Sequence, residues 1–185
     1  MRSPVPLLSS LLLAACSSIV PSTAARLAAL DPLTADPAAI ELVVILPPGL
    51  AISPGTAELK LGATRGKEQL GETFRLEDRP VVTGIALPPG ATARHFALAE
   101  PDVQRMRAVQ ADIAQWKREG AAQGSLGLGI GGCAIGNGPA QDARGSVLIR
   151  TAQDAPFLPL IADGRLSDLL GAETLAAIKP CQGAE

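Results

Sequence analysis

The stretch Ile40-Glu41-Leu42-Val43-Val44-Ile45-Leu46 consists of isoleucine, leucine and valine apart from Glu41, and it stops at Pro47-Pro48-Gly49. Short apolar runs that end at turn residues are typical of buried strands. The sequence therefore predicts a buried strand over residues 40–46, and the elements that follow it along the chain decide the fold class.

Several later segments also have strand patterns. Between Ala57 and Arg65, Leu59, Leu61 and Ala63 alternate with mostly polar residues, which predicts a half-buried strand. The sequence Leu-Pro-Pro-Gly occurs at 46–49 and again at 87–90. A duplicated β unit would explain the repeat, but reuse of the same turn chemistry explains it better, because the flanking residues match poorly. The other predicted strands are 73–77, 81–87, 93–98, a stretch within 124–138, 146–151 and 157–161.

A long helix is predicted to begin at Glu100-Pro101-Asp102, because proline is tolerated in the first helical turn and acidic residues are favoured there. Gly120 is its natural end. Apolar residues recur along it at steps of three and four and form a stripe that should lie on the sheet. These residues are Val103, Met106, Val109, Ile113 and Trp116.

The order of the elements predicts a single α+β domain over residues 40–185. We expect a mostly antiparallel sheet of short strands packed against one long amphipathic helix. Short amphipathic helices are expected near the C-terminus, over residues 166–170 and 173–178.

The candidate interaction surface is a sheet edge or the face of a glycine-rich stretch, since exposed edges and closely approachable backbone accept an added strand. Gly127, Gly129 and Gly131 alternate with apolar residues, so one face of the predicted strand is bare backbone that another chain can approach closely. Residues 127–132 also spell G-x-G-x-x-G, but these glycines lie within the apparent strand and a turn follows them. The nucleotide-binding motif needs a helix at that position, so we expect no nucleotide and no other cofactor.

The N-terminal region has the layout of a secretory signal. Arg2 is its only charge, an apolar run leads to Leu13, and small residues follow. Leu13-Ala14-Ala15-Cys16 resembles the lipobox of bacterial lipoproteins, and the resemblance covers residues 1–16 only. An ordinary signal peptide with an incidental cysteine is the alternative.

The resemblance implies cleavage before Cys16, a diacylglycerol on its sulfur and acylation of the new amine. Residues 1–15 would then be a signal peptide and residues 16–39 a lipidated N-terminus and tether. More than one acyl chain gives stable membrane attachment. In that family the residue after the cysteine influences sorting, and Ser17 is not the aspartate linked to inner-membrane retention. The resemblance therefore implies attachment to the outer membrane, facing the periplasm.

Cys133 and Cys181 remain once Cys16 is lipidated. In an oxidising periplasm an isolated pair of cysteines is most simply a disulfide, so the sequence predicts a bond that pins the C-terminal tail to the domain. Two distant thiols and one histidine do not make a recognisable zinc set, so no metal site is expected.

The composition offers little for catalysis. The chain has no tyrosine, one tryptophan and one histidine, and its formal net charge of -2 shows no basic footprint for nucleic acid. His95 is the only histidine that a serine triad could use, and Glu77-Asp78 is expected in a solvated turn. We therefore expect no catalytic residues and no enzyme.

Two functional hypotheses follow. The first is a membrane-anchored envelope lipoprotein with a structural or protein-interaction role and an unknown envelope protein as its partner. The alternative is a periplasmic carrier or sensor of a small apolar ligand held between the helix and the sheet. A hydrolase that uses His95 ranks third.

Overall fold

The computed structural model describes residues 33–181. The expected signal peptide, the lipidation of Cys16 and most of the tether lie outside the described residues. Within them the chain forms nine strands, three α-helices and one 3-10 turn at Pro37–Ala39. The strands are β1 (Glu41–Leu46), β2 (Leu50–Ile52), β3 (Glu58–Arg65), β4 (Glu68–Arg79), β5 (Thr92–Leu98), β6 (Gln123–Gly129), β7 (Gly132–Ala134), β8 (Arg144–Arg150) and β9 (Leu158–Arg165). The helices are α1 (Glu100–Glu119), α2 (Leu166–Leu170) and α3 (Ala172–Ala176).

Seven of these strands form one curled antiparallel sheet in the order β6-β3-β4-β5-β1-β8-β9, and β2 pairs with β7 in a separate antiparallel ribbon. The predicted α+β class is confirmed. The predicted strand over 40–46 corresponds to β1, which lies inside the sheet between β5 and β8. Its residues face both sides of the sheet and are all buried after Glu41. This two-sided burial explains why the run lacks polar alternation.

Helix α1 packs on one face of the sheet, mainly against β3, β4 and the 3-10 turn. On the side of α1 that faces the sheet, Met106, Val109 and Ile113 are buried. Val103 and Trp116 of the same helix are partly buried against this core. The sheet contributes Leu59, Leu61, Phe74 and Leu76 to this layer, together with the inward residues of β1 and β5.

Strand β4 is longer than predicted, and the strand predicted over 81–87 is absent. Residues 68–75 of β4 pair with β3, and residues 76–79 continue across to pair with β5. Because β5 pairs with β4 on one side and β1 on the other, residues 81–87 cannot form a strand between β4 and β5. They form an irregular connection in which Val81 is 52% exposed and Leu87 is 44% exposed.

The residues just before β1 pack on the domain. Leu33 lies over Gly124 at the start of β6, and Pro37 is fully buried. Asp36 accepts a hydrogen bond from Arg107 of α1 at 2.7 Å and another from the backbone N–H of Ala38. The Arg107 hydrogen bond is the main reason that the pKa of Asp36 is lowered, with the Ala38 bond next.

The predicted pairing of Cys133 with Cys181 is present, with the two Cα atoms 4.8 Å apart. Cys133 lies on β7, opposite Ala51 of β2. The backbone N–H of Cys181 donates to the carbonyl of Ala134, and the N–H of Ala134 donates to the carbonyl of Lys179. The disulfide and these hydrogen bonds together attach residues 179–181 to the β2–β7 ribbon, a ribbon that was not predicted from the sequence.

Candidate interaction surface

The two ends of the seven-stranded sheet differ in how they are protected. At one end, β9 carries Pro159, which has no backbone N–H to offer, and its pairing with β8 is irregular next to Gly145 and Val147. Helix α2 also contacts β9. Proline, bulges and covering elements are the usual means by which proteins prevent an edge strand from pairing with another chain.

The opposite end, β6, has no proline and no bulge, although Leu33 lies over Gly124 at its start. Its seven residues pair with β3 in a continuous register from Glu58↔Gly129 to Thr64↔Gln123, and within residues 33–181 no second strand pairs with it. The strand Gln-Gly-Ser-Leu-Gly-Leu-Gly contains no charged residue and no proline. As far as these described residues go, one row of its backbone N–H and C=O groups is therefore open to another strand.

The three glycines of the candidate surface are not equivalent. A Cβ atom on Gly129 would lie 2.8 Å from Cγ of Glu58, and one on Gly131 would lie 2.9 Å from Cβ of Thr56. Side chains of the chain itself thus occupy the space beside these two glycines. A Cβ on Gly127 would meet only Cβ of Lys60, at an ordinary contact distance of 3.7 Å. Gly127 is the glycine of the three that leaves room for another molecule.

Gly131 marks the point at which the chain leaves the sheet. Its N–H donates to the hydroxyl of Thr56, which in turn donates to the carbonyl of Ser53. The carbonyl of Gly131 accepts a hydrogen bond from the N–H of Ser53 at 2.8 Å. Because both backbone groups of Gly131 are occupied, the open edge is limited to β6 itself.

His95, the only histidine, is buried beside the partly buried Glu41 and Arg150 side chains on the face of the sheet opposite α1. Its Nε2 lies 2.8 Å from Oε2 of Glu41, and its Nδ1 lies 2.7 Å from the carbonyl oxygen of Pro80. Arg150 donates to the same Glu41 oxygen. The ring of Phe157 packs against Arg150 and stands edge-on to His95, with ring centroids 6.0 Å apart.

This arrangement differs from a hydrolase triad. The described structure places no serine or cysteine side chain among the hydrogen-bond partners of His95, and both ring nitrogens are already engaged. Arg150 Nε is buried without a hydrogen-bond partner. The group joins β1, β5, β8 and the residue after β4, so its geometry is that of a polar network that holds strands together.

Glu77 and Asp78 lie on β4 and not in the predicted turn. Asp78 accepts a hydrogen bond from Arg94 Nε at 3.0 Å, and Glu77 lies 3.8 Å from Arg79. The two carboxylates point to opposite faces of the strand and have separate partners, so they do not form a paired acid site.

The two Leu-Pro-Pro-Gly turns meet at one end of the sheet. Leu46 is paired with Thr92, and a Cβ on Gly90 would lie 3.0 Å from Cγ of Pro48. They border an open cleft of about 530 Å³ whose other walls come from residues 138–146. The lining residues include Pro47, Pro48, Pro88, Ala91, Ala140 and Ala143, with Asp142, Arg144 and Asp163 at the polar side. Arg144 and Asp163 form an ion pair at 3.3 Å.

A second open cleft, of about 450 Å³, lies beside the start of α1 and is more polar. Its lining includes Arg75, Asp102 and Arg105. Asp102 is buried, accepts a hydrogen bond from the N–H of Arg75 at 2.6 Å and also pairs with Arg105. These contacts join α1 to β4.

Two further searches of residues 33–181 gave negative results. No three histidine, cysteine or acidic side chains are placed to hold one metal ion. None of the described helices combines the length and the apolar character needed to cross a bilayer.

Sequence reasoning found the glycine stretch but did not place it in the sheet. The lack of charge and proline in residues 123–129 is visible in the sequence, and this is the signal that could have marked an open edge. Nothing local to β6 shows that β3, about sixty positions earlier in the chain, is the only strand of residues 33–181 that pairs with it. The contacts of His95 and of Arg150 with Glu41 were likewise missed, because the three residues are far apart in sequence.

Comparisons of this chain with protein-family models, with curated proteins and with solved structures gave no match.

Proposed function

We propose that this protein is a membrane-anchored lipoprotein of the bacterial envelope that binds another envelope protein through the open edge of β6. The domain acts without catalysis: it accepts an extended segment of the partner as an additional strand. In this proposal the long helix α1 is the amphipathic cover that holds the sheet in shape. The anchor, the expected location at the outer membrane facing the periplasm and the partner all belong to the proposal.

The observation that carries the binding role is the contrast between the two sheet edges. The edge at β9 has a proline, an irregular register and a neighbouring helix. Strand β6 is uncharged and regular, and within residues 33–181 no strand pairs with its outer side. Edges of this kind pair readily with an incoming strand, and strand addition is a common mode of peptide recognition. The lipobox resemblance of Leu13-Ala14-Ala15-Cys16 supports the anchor.

The anchor is tested by the variant Cys16→Ser. We expect the wild-type chain in the membrane fraction and the variant in the soluble periplasmic fraction, because acyl chains on Cys16 would supply the membrane attachment. The intact mass of the wild-type protein should correspond to a chain that starts at Cys16 and carries acyl groups. A variant that stays in the membrane fraction, or an unmodified mature mass, would refute the anchor.

The binding role is tested by a photoreactive amino acid at Ser125, an exposed position on β6. Irradiation of living cells should then join the chain to one defined envelope protein. The matched control places the same amino acid at Gln69, which is exposed on the same face but lies on β4, separated from β6 by β3. Recovery of the chain alone at Ser125, or of a second copy of it, would refute the proposed partner role, as would equal crosslinking from both positions.

A carrier or sensor of a small apolar ligand is the second candidate. The cleft between the two Leu-Pro-Pro-Gly turns favours it, since proline and alanine line much of its wall. The expected location between helix and sheet is less suitable, because Met106 and Ile113 are fully buried there. Native mass spectrometry of protein purified from its own membrane should detect a co-purifying lipid, and its absence together with no uptake of fatty-acid probes would refute this candidate.

A further inference from the structure

The helix side of β6 is apolar and incompletely covered. Leu126 and Leu128 are only half-buried, whereas Leu61 and Leu59, which face them on β3, are each 1% exposed. The difference arises because α1 packs mainly on β3 and β4, further from the edge. Leu126 and Leu128 are therefore partly exposed apolar side chains, and they lie next to the side of β6 with which no strand of residues 33–181 pairs.

On the other side of β6 the residues are either polar or have no side chain. Gln123, Ser125 and Gly127 are exposed there, and none of them carries a charge. The nearest charged pair on this side is Glu58 with Lys60 on β3, whose charged atoms lie 2.8 Å apart and offset each other. Recognition at this edge therefore depends on backbone hydrogen bonds and apolar contacts and not on a charged motif.

We infer that the segment received by β6 is an extended strand of about seven residues in which apolar side chains alternate with small polar ones. Its apolar side chains lie beside Leu126 and Leu128 and extend the core by one strand. Its small side chains lie beside Ser125 and Gly127, where the side chains of β6 are small or absent. The length follows from β6, since the backbone of Gly131 is already hydrogen-bonded. This inference rests on the proposed function and specifies the partner segment.

Two synthetic peptides of identical composition test this inference. In one, valine and serine alternate over seven residues between terminal lysines; in the other, the same valines are consecutive. Binding to the detergent-solubilised full chain is measured by fluorescence anisotropy. The alternating peptide should bind about tenfold more tightly, because it places its apolar side chains on one face, where several cross-strand contacts add up. It should also slow amide hydrogen exchange in residues 123–129. Equal affinities, or protection elsewhere in the chain, would overturn the inference.

A matched pair of variants tests the apolar row itself. Leu126→Thr introduces a residue of high strand propensity on the edge strand but removes much of the apolar surface, so it should abolish the preference for the alternating peptide. Leu70→Thr makes the same change on β4, separated from β6 by β3, at a residue that is also partly buried, and should leave that preference intact. Thermal melting of both variants verifies that they are folded. Equal preference in both would also overturn the inference.

The outcomes separate the inference from the proposed function. If the photoreactive residue at Ser125 captures an envelope protein but the alternating peptide has no advantage, the function stands and the inferred segment chemistry is wrong. If no partner is captured in cells, the proposed function fails whatever the peptides do. Sedimentation that shows a dimer, dispersed by Ser125→Lys but not by Gln69→Lys, would assign the edge to a second copy of this chain and overturn both.

Discussion

At the residue scale, Gly49 illustrates how a turn depends on its surroundings. Its φ is +83°, a conformation that costs side-chain residues about 1–2 kcal/mol, and a Cβ there would lie 2.3 Å from the carbonyl oxygen of Gly138. Gly55 also has a positive φ, +72°, but a Cβ there would meet nothing within 4 Å. The two glycines therefore share the backbone requirement and differ in the available space.

We predict that Gly49→Ala lowers the free energy of unfolding by roughly 3 kcal/mol or more, because overpacking adds to the conformational cost. Gly55→Ala should lower it by only about 1–2 kcal/mol. Urea denaturation of both variants measures the difference. Similar losses for the two would show that residues 138–139 move away from residue 49 at little cost.

At the scale of elements, the β2–β7 ribbon and the C-terminal tail depend on one covalent bond. Cys133 and Cys181 enclose a loop of 48 positions, and the chain-entropy estimate for such a loop is about 4 kcal/mol. Only two backbone hydrogen bonds otherwise join residues 179–181 to Ala134. The tail therefore relies mainly on the disulfide for its attachment.

We predict that Cys133→Ser and Cys181→Ser lower the free energy of unfolding equally, by about 4 kcal/mol, because each removes the same bond. Denaturation in urea measures both, and the double variant should lose no more than either one. Reductant should bring the wild-type chain to the same value. Unequal losses would show that the two sulfurs have separate roles.

Prediction of elements succeeded where the local pattern was sufficient. Alternation of apolar and polar residues marked β3, and proline, acidic residues and glycine were the signals used to bound the predicted long helix. The pattern failed at residues 81–87, which are as apolar as a strand. These residues are excluded from the sheet because β4 pairs directly with β5. That pairing joins the segments on either side of the loop that contains residues 81–87.

At the scale of the whole molecule, the sheet order predicts a gradient of local stability. β1 lies inside the sheet, and its residues Leu42 and Val43 are fully buried, whereas β6 has one neighbour and several exposed residues. Amides that open only with the whole domain are expected in buried interior strands.

We therefore predict that amide hydrogen exchange is slowest in β1 and much faster in β6, when followed by mass spectrometry on the native protein. Strand β9, at the other edge, should exchange more slowly than β6, because helix α2 contacts it. Exchange in β6 as slow as in β1 would mean that the edge is already covered, and it would argue against strand addition there.

Local patterns were enough to locate most of the strands, to identify the two cysteines that pair and to show that residues 123–129 carry neither charge nor proline. These properties are local, because alternation, turn residues and composition act through neighbouring positions. Other features follow from the packing of distant segments: within residues 33–181 β6 lies at an edge, His95 and Arg150 both contact Glu41, and the two Leu-Pro-Pro-Gly turns adjoin. These features depend on strand order, which is set by backbone pairing and core packing between distant residues. The alternation of side chains along one strand does not encode which strand will be its neighbour.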